Sequence, residues 1–312
     1  MNKFSNKILV IALLIMAAIF VLTKIFREPK LSANLDVSVF KVDTARITEI
    51  RLKPQKESSE VKLQKLEGSW FVTCNGVKAK AASNQVRDLL ESIQSLELER
   101  MVSRKKEKWT DYEVDDSAAV SLQAFDNDDE LINLKLGKES GASGGVTYAR
   151  IGHYSEVYSL QGYLHDAFDK GFTSWRDQTL LRFQKDQIRK IDFRYGADSS
   201  FVLEQKQNKW FAANAVADSA KIESYLNSLA TLEHDVFADD YSEKSGPDAI
   251  ITITNQTGNN IVVKGWRQSF DEWILHSTTN PGTYFRDLGP KISGQIFVGK
   301  QQLAGGSLVG NL

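Results

Sequence analysis

The sequence predicts an α+β protein: an N-terminal transmembrane helix followed by two tandem repeats of an antiparallel-sheet-plus-helix module. Three observations predict it. The stretch Ile47 to Phe71 reappears as Ile188 to Phe211, each copy ending in Trp-Phe at Trp70-Phe71 and Trp210-Phe211. Apolar residues alternate between short polar turns, the pattern of antiparallel strands. A long uncharged apolar run lies near the N-terminus. At 312 residues the chain has room for about two ordinary domains, and 42% hydrophobic residues suffice for a sizeable core.

The apolar run spans Ile8 to Thr23 and resumes at Ile25-Phe26 after Lys24. Counted through Phe26 it covers about 28 Å as a helix, close to the ~30 Å hydrocarbon core of a bilayer. Lys7 and Lys24 can snorkel to the two interfaces. The alternative is a cleaved secretory signal, whose apolar region is usually ~7–15 residues and ends at a small-residue site. Here the run is longer and a basic patch follows it. Residues 1–30 carry +4, so the rest of the chain carries −5. No strongly basic field exists to hold a polyphosphate chain, and no nucleic-acid partner is expected. A short tail, one span and a large C-terminal part form the usual signal-anchor layout, with the bulk exported. Basic residues flank both ends of the span and leave its orientation open.

The expected division is residues 1–30 as tail and anchor, 31–172 as the first module, 173–300 as the second, and 301–312 as a flexible tail. In the first module Ile47, Ile50 and Leu52 lead into Val61, Leu63 and Leu66, then Trp70, Phe71 and Val72. Glu67-Gly68-Ser69 reads as a tight turn, and Gln207-Asn208-Lys209 is its counterpart. Val86, Leu89, Leu90, Ile93 and Leu96 have helical spacing with Ser83 as N-cap. Ile222, Tyr225, Leu226, Leu229 and Leu232 repeat it after Asp218-Ser219, at a constant shift of 136 residues. A hairpin follows around Asp126 to Glu130, matched by one around Asn255 to Asn260. Further strands are expected at Val146 to Ile151 and Glu156 to Leu160, with partners at Glu272 to His276 and Thr283 to Leu288. Short amphipathic pieces at Tyr163 to Phe168 and Ile292 to Phe297 close the modules.

This order resembles the domain of unknown function 4340 family of bacterial proteins. Its I-x-x-I strand, tryptophan strand and L-x-x-L helix are the ones quoted above. The loop Tyr112-Glu113-Val114-Asp115-Asp116-Ser117 before Val120 partly matches its Y-G-L-D-x-P pattern, lacking the Gly, Leu and Pro. Trp175-Arg176-Asp177 with Leu180-Leu181 also looks like the family. The resemblance covers about residues 40–300. It implies an accessory role in ABC-type transport or gliding-motility systems, with no catalytic residues assigned. The chain would then sit in a bacterial inner membrane with its bulk in the periplasm.

Candidate chemistry is sparse. His153, His165, His234 and His276 lack metal-ligand spacing, and Cys74 is the single cysteine, so no zinc site is expected. Asp126, Asp128, Asp129 and Glu130 partly mimic a calcium loop but lack its central glycine and distal glutamate. The matching turn of the second copy, Asn255-Gln256-Thr257-Gly258-Asn259, has no carboxylate, so both read as solvated turns. Gly141 to Gly145 lacks the Lys-Ser/Thr ending of a phosphate loop. No nucleophile motif is present. The remaining candidate is the basic run Arg104, Lys105, Lys106 and Lys108 beside Trp109, whose counterpart around Asp239-Asp240-Tyr241 is acidic. The run reads first as a solvated loop, with contact to anionic headgroups or a partner as its functional alternative.

The sequence therefore points to a membrane-anchored extracytoplasmic accessory or scaffold protein that is not an enzyme and takes no cofactor. Its expected partners are the membrane, through Ile8 to Phe26, and other membrane-complex subunits. The alternative is an extracytoplasmic binding module for a lipid, glycan or peptide.

Overall fold

Antiparallel hairpins with short polar turns build nearly the whole molecule. The computed structural model describes residues 42–304 apart from 56, 58, 142–144, 197, 198 and 214, and, before residue 42, only 13, 14 and 16. The anchor expected at Ile8 to Phe26 and most of the tail from 301 lie outside the described residues. Among the described residues, no helix is long and apolar enough to cross a membrane.

The first sheet has nine strands. These are β1 (Glu49–Lys53), β2 (Val61–Leu66), β3 (Ser69–Cys74), β4 (Val77–Lys80), β5 (Leu98–Ser103), β6 (Val120–Asp126), β7 (Asp129–Ser140), β8 (Val146–Ile151) and β9 (Val157–Gln161). Their order in the sheet is β4-β3-β2-β1-β6-β7-β8-β9-β5. After β10 (Thr179–Arg182) come β11 (Ile188–Arg194), β12 (Phe201–Lys206), β13 (Lys209–Ala212) and β14 (Ala215–Val216). The chain ends with β15 (Thr231–Glu233), β16 (Ala249–Asn255), β17 (Asn260–Arg267), β18 (Glu272–Ser277) and β19 (Tyr284–Leu288). The second sheet runs β14-β13-β12-β11-β16-β17-β18-β19, the same order as the first eight strands of the first sheet. The difference lies at one edge. In the first sheet β5 pairs with β9, whereas in the second region β15 pairs with β10.

Local chemistry explains the elements. Glu67 and Gly68, and likewise Gln207 and Asn208, all have positive φ, the requirement of a two-residue primed hairpin turn. One helix, α1 (Ser83–Gln94), buries Val86, Leu89 and Ile93; Ser83 is its first residue rather than its cap. Short helices α2 (Trp109–Tyr112), α3 (His165–Phe168) and α4 (Phe172–Trp175) follow. The counterpart of α1 is α5 (Ser219–Ala230), capped by Asp218, which accepts from the backbone N–H groups of Ala220 and Lys221. It buries Ile222, Tyr225, Leu226 and Leu229 against Ile191, Phe193, Leu203 and Ile251 of the second sheet. Leu96 and Leu232 lie just past the helix ends and are buried from there. Two more short helices, α6 (Lys291–Ile296) and α7 (Lys300–Leu303), close the chain.

By its contacts the chain forms two compact units. One holds the described residues up to Gly68 with Asn84–Gly171; the other holds Ser69–Ser83 with the described residues from Phe172. The Trp175-Arg176-Asp177 junction is a hub of the second unit. Trp175 is fully buried, Ala81 bridges Arg176, and the Asp177 N–H donates to Lys80 O at 2.8 Å. Trp210 belongs to the second core, while Trp70 is only half-buried. The fully buried tryptophans are Trp175 and Trp266.

Candidate functional site

The basic run follows directly on β5, an edge strand whose pairing with β9 shifts register at Glu99 and again at Val102. Such bulges twist an edge and re-aim its side chains. Arg104 and Lys105 continue beyond the strand, Lys106–Lys108 form a 3₁₀ turn, and α2 ends at Glu113, which adopts a left-handed conformation (φ 56°). Residues 104–108 are all exposed, and Trp109 is half-buried.

Trp109 fixes the loop to the sheet. Its Nε1–H donates to Ser155 O at 2.9 Å. The Arg150 guanidinium lies 3.9 Å from the ring centroid and Lys106 Nζ 4.9 Å from it. Arg150 is 5% exposed, donates to Val114 O, and pairs with Asp116 at 2.7 Å. A cation over an indole is attractive, the more so where it is desolvated. Gly137 on β7 permits the approach of α2, since a Cβ there would come within 2.1 Å of Tyr112 O. Lys108 is held by Asp111 at 2.6 Å; this hydrogen bond raises the lysine pKa and lowers that of the carboxylate.

On the other side of the loop the arrangement is less complete. Met101 of β5 pairs in register with Tyr158 of β9, so the two side chains share a face. Arg104 folds back onto Met101, its Nε lying 3.2 Å from Met101 Sδ. Tyr158 is 1% exposed, and its hydroxyl has no hydrogen-bond partner among the described residues. Burial pushes the phenol up to about 12, with Glu156 adding to the rise and Arg104 opposing it. It is therefore a protonated donor at neutral pH. Glu156 is itself buried and accepts from Ser155 Oγ at 3.3 Å.

The five sequence-derived residues thus divide. Arg104, Lys105, Lys106 and Lys108 form the exposed cationic rim, and Trp109 anchors it. Sequence reasoning missed Arg150, Ser155, Glu156 and Tyr158. Only the strand register brings them to the loop, though the paired Tyr154 and Tyr158 around two polar residues hinted at an irregular strand start.

At the corresponding place in the second unit the charges are closed on one another. Arg176, with 4% of its side chain exposed, lies 3.5 Å from the Phe237 ring centroid and binds Asp239 through both terminal nitrogens at 2.6 and 2.7 Å. Arg286 binds Asp240 at 2.6 Å and Glu272 at 3.3 Å, which lowers the Asp240 pKa and raises that of the arginine. A cleft of about 260 Å³ beside this triad is lined by Tyr241, Lys244 and Gln268 among others. That is below the usual range for a drug-sized ligand.

The other candidates have ordinary surroundings. His165, His234 and His276 each bond a backbone carbonyl through Nε2. Among the described residues no group of three or more His, Cys, Asp or Glu could hold a metal ion. Asp126 accepts from Arg46 at 2.8 Å. Cys74 is buried. Part of the 141–145 loop lies outside the described residues.

A family model described as domain of unknown function (DUF4340) matches residues 70–249, more than half of the chain. No curated protein and no solved structure matches it.

Proposed function

The chain belongs to the DUF4340 family, and on that premise we propose that it is a membrane-anchored extracytoplasmic scaffold, an accessory component of an ABC-type transport complex. In this reading Ile8 to Phe26 is the single span, and the two sheets are tandem modules held on the periplasmic face of a bacterial inner membrane. The observation that carries it is the shared strand order of the two sheets combined with loops of opposite charge at one equivalent place. A duplicated framework with divergent loops offers two different contact surfaces from one architecture, which suits an adaptor better than a catalyst.

The test is purification from native membranes in a mild detergent. Transporter permease or ATPase subunits are expected to co-purify in constant ratio. Reproducible recovery of the protein alone would contradict the reading. Replacing Arg104, Lys105 and Lys108 together by Gln is expected to weaken such a complex without unfolding the chain, since all three are exposed. A second reading, as a binding module, is favoured by the buried Tyr158 hydroxyl, which has no hydrogen-bond partner among the described residues, and by Arg104 on the neighbouring Met101.

A further inference from the structure

The two units place a guanidinium over equivalent side chains and complete it differently. In the second unit Phe237 bridges Phe285 of the last strand, and Arg176 stacks on Phe237. In the first unit the equivalent pair is Met101 and Tyr158, and Arg104 folds over Met101. The shift from Met101 to Phe237 is the same 136 residues that relates the two long helices. Asp239, two residues beyond Phe237, supplies the carboxylate that Arg176 holds through two hydrogen bonds. Two residues beyond Met101 the chain has Ser103, whose Oγ accepts from the Lys105 N–H instead.

We propose that the first unit binds a phosphate group from outside at this place, where the second unit uses its own Asp239. Arg104 and the Tyr158 hydroxyl donate to the phosphate oxygens, and Lys105 and Lys106 at the rim add charge. Three observations carry this. Among the described residues the Tyr158 hydroxyl is a buried donor without a partner, and a buried polar group left unpaired is costly. Arg104 is committed only through Nε among the described residues, to a weakly accepting sulfur. In the second unit the guanidinium over Phe237, the counterpart of Met101, holds an oxyanion through both terminal nitrogens. Glu156 works against an anion, and Arg104, Lys105 and Lys106 oppose its charge. The phosphate can be free or part of a phospholipid headgroup. The inference concerns the first unit alone and stands whether or not a transport complex is recovered.

The experiment is a thermal-unfolding titration of the full chain in detergent micelles with inorganic phosphate, chloride keeping the ionic strength constant. Phosphate is expected to raise Tm by about 2–4 °C at saturating concentration. Tyr158→Phe, which removes the unpaired buried hydroxyl, is expected to raise the phosphate-free Tm slightly and to weaken phosphate about tenfold. Arg104→Gln is expected to abolish the response. Ser103→Asp, which imports the arrangement of the second unit, is expected to raise Tm without phosphate and to remove its effect. A second arm adds short-chain phosphatidylglycerol or phosphatidylcholine to the micelles. A phosphatidylglycerol response lost in Arg104→Gln identifies a lipid headgroup as source; a response to inorganic phosphate alone identifies a soluble one. A phosphate response unchanged in both Tyr158→Phe and Arg104→Gln, or no response to either probe, overturns the proposal. So does a clear loss of phosphate-free stability in Tyr158→Phe, which would mean the hydroxyl is already satisfied within the protein.

Discussion

Gly137 and Trp266 follow equivalent residues of β7 and β17, for Leu136 pairs with Val120 at the start of β6 as Gly265 pairs with Ala249 at the start of β16. The space beside them is filled by opposite routes. In the first unit the strand contributes only a glycine, and the C-terminal end of α2 descends onto it, with Tyr112 O and the Val114 side chain nearest. In the second the strand supplies the tryptophan itself, and the loop of residues 241–247 covers it with Tyr241 and a carbonyl from Ser245. Each indole Nε1 reaches a loop carbonyl at 2.9 Å. The same strand position thus takes a glycine in one unit and a tryptophan in the other, with the covering segment adjusted to each. The charges around it show what is left over. The second unit pairs Arg176 and Arg286 with its own carboxylates, leaving their buried Nε atoms without a hydrogen bond among the described residues. In the first, among the described residues, Arg104 meets no carboxylate and the Tyr158 hydroxyl no partner.

The comparison can be broken most severely at the tryptophans. Trp266→Ala removes a 1% exposed side chain and is expected to cost about 3–5 kcal/mol. Trp109→Ala, at a half-buried position, should cost about 1–3 kcal/mol. Urea denaturation of each variant measures the difference, and equal losses would deny that the strand-borne tryptophan is the more deeply buried one. Next in size is Gly137→Val, which drives a side chain into the Tyr112 carbonyl and should destabilise by about 1–3 kcal/mol. A neutral result there would show that α2 can lift off β7. The smallest effect lies at alkaline pH. The Tyr158 phenol is raised from about 10 when unfolded to about 12 when folded, so its contribution is complete below pH 10 and is lost as pH rises through 12. Tyr158→Phe should therefore flatten the decline of stability across that window; an unchanged slope would place the phenol in water.

Most of the sheet framework was legible because its strands obey a period of two. Ile50, Leu52, Val61, Leu63, Leu122 and Leu134 alternate with polar residues and all lie buried. Turns such as Glu67-Gly68 carry their own signature. Two of the strands that escaped have a pattern broken by their role. Leu98–Ser103 is an edge strand with two register shifts, so Glu99 and Arg100 interrupt its alternation. Thr179–Arg182 is short and pairs only with Thr231–Glu233. The open site was less legible still. The basic run Arg104 to Lys108 stands out in the sequence, but Tyr158 and Arg150 join it only through pairings that span more than forty residues. Trp70 looked equivalent to Trp210 and is less buried, because a repeat fixes strand order more firmly than it fixes the depth of each side chain.

The central claim is that Asp239 does within the second unit what an external phosphate does in the first. Its most direct test is to open the second unit with Asp239→Ser and measure Tm with and without phosphate at constant ionic strength. The buried Arg176 then loses its carboxylate, at an expected cost of about 3 kcal/mol. Phosphate should restore part of that loss while chloride does not. A variant as stable as the parent, or a loss that phosphate leaves untouched, would contradict the equivalence of the two places.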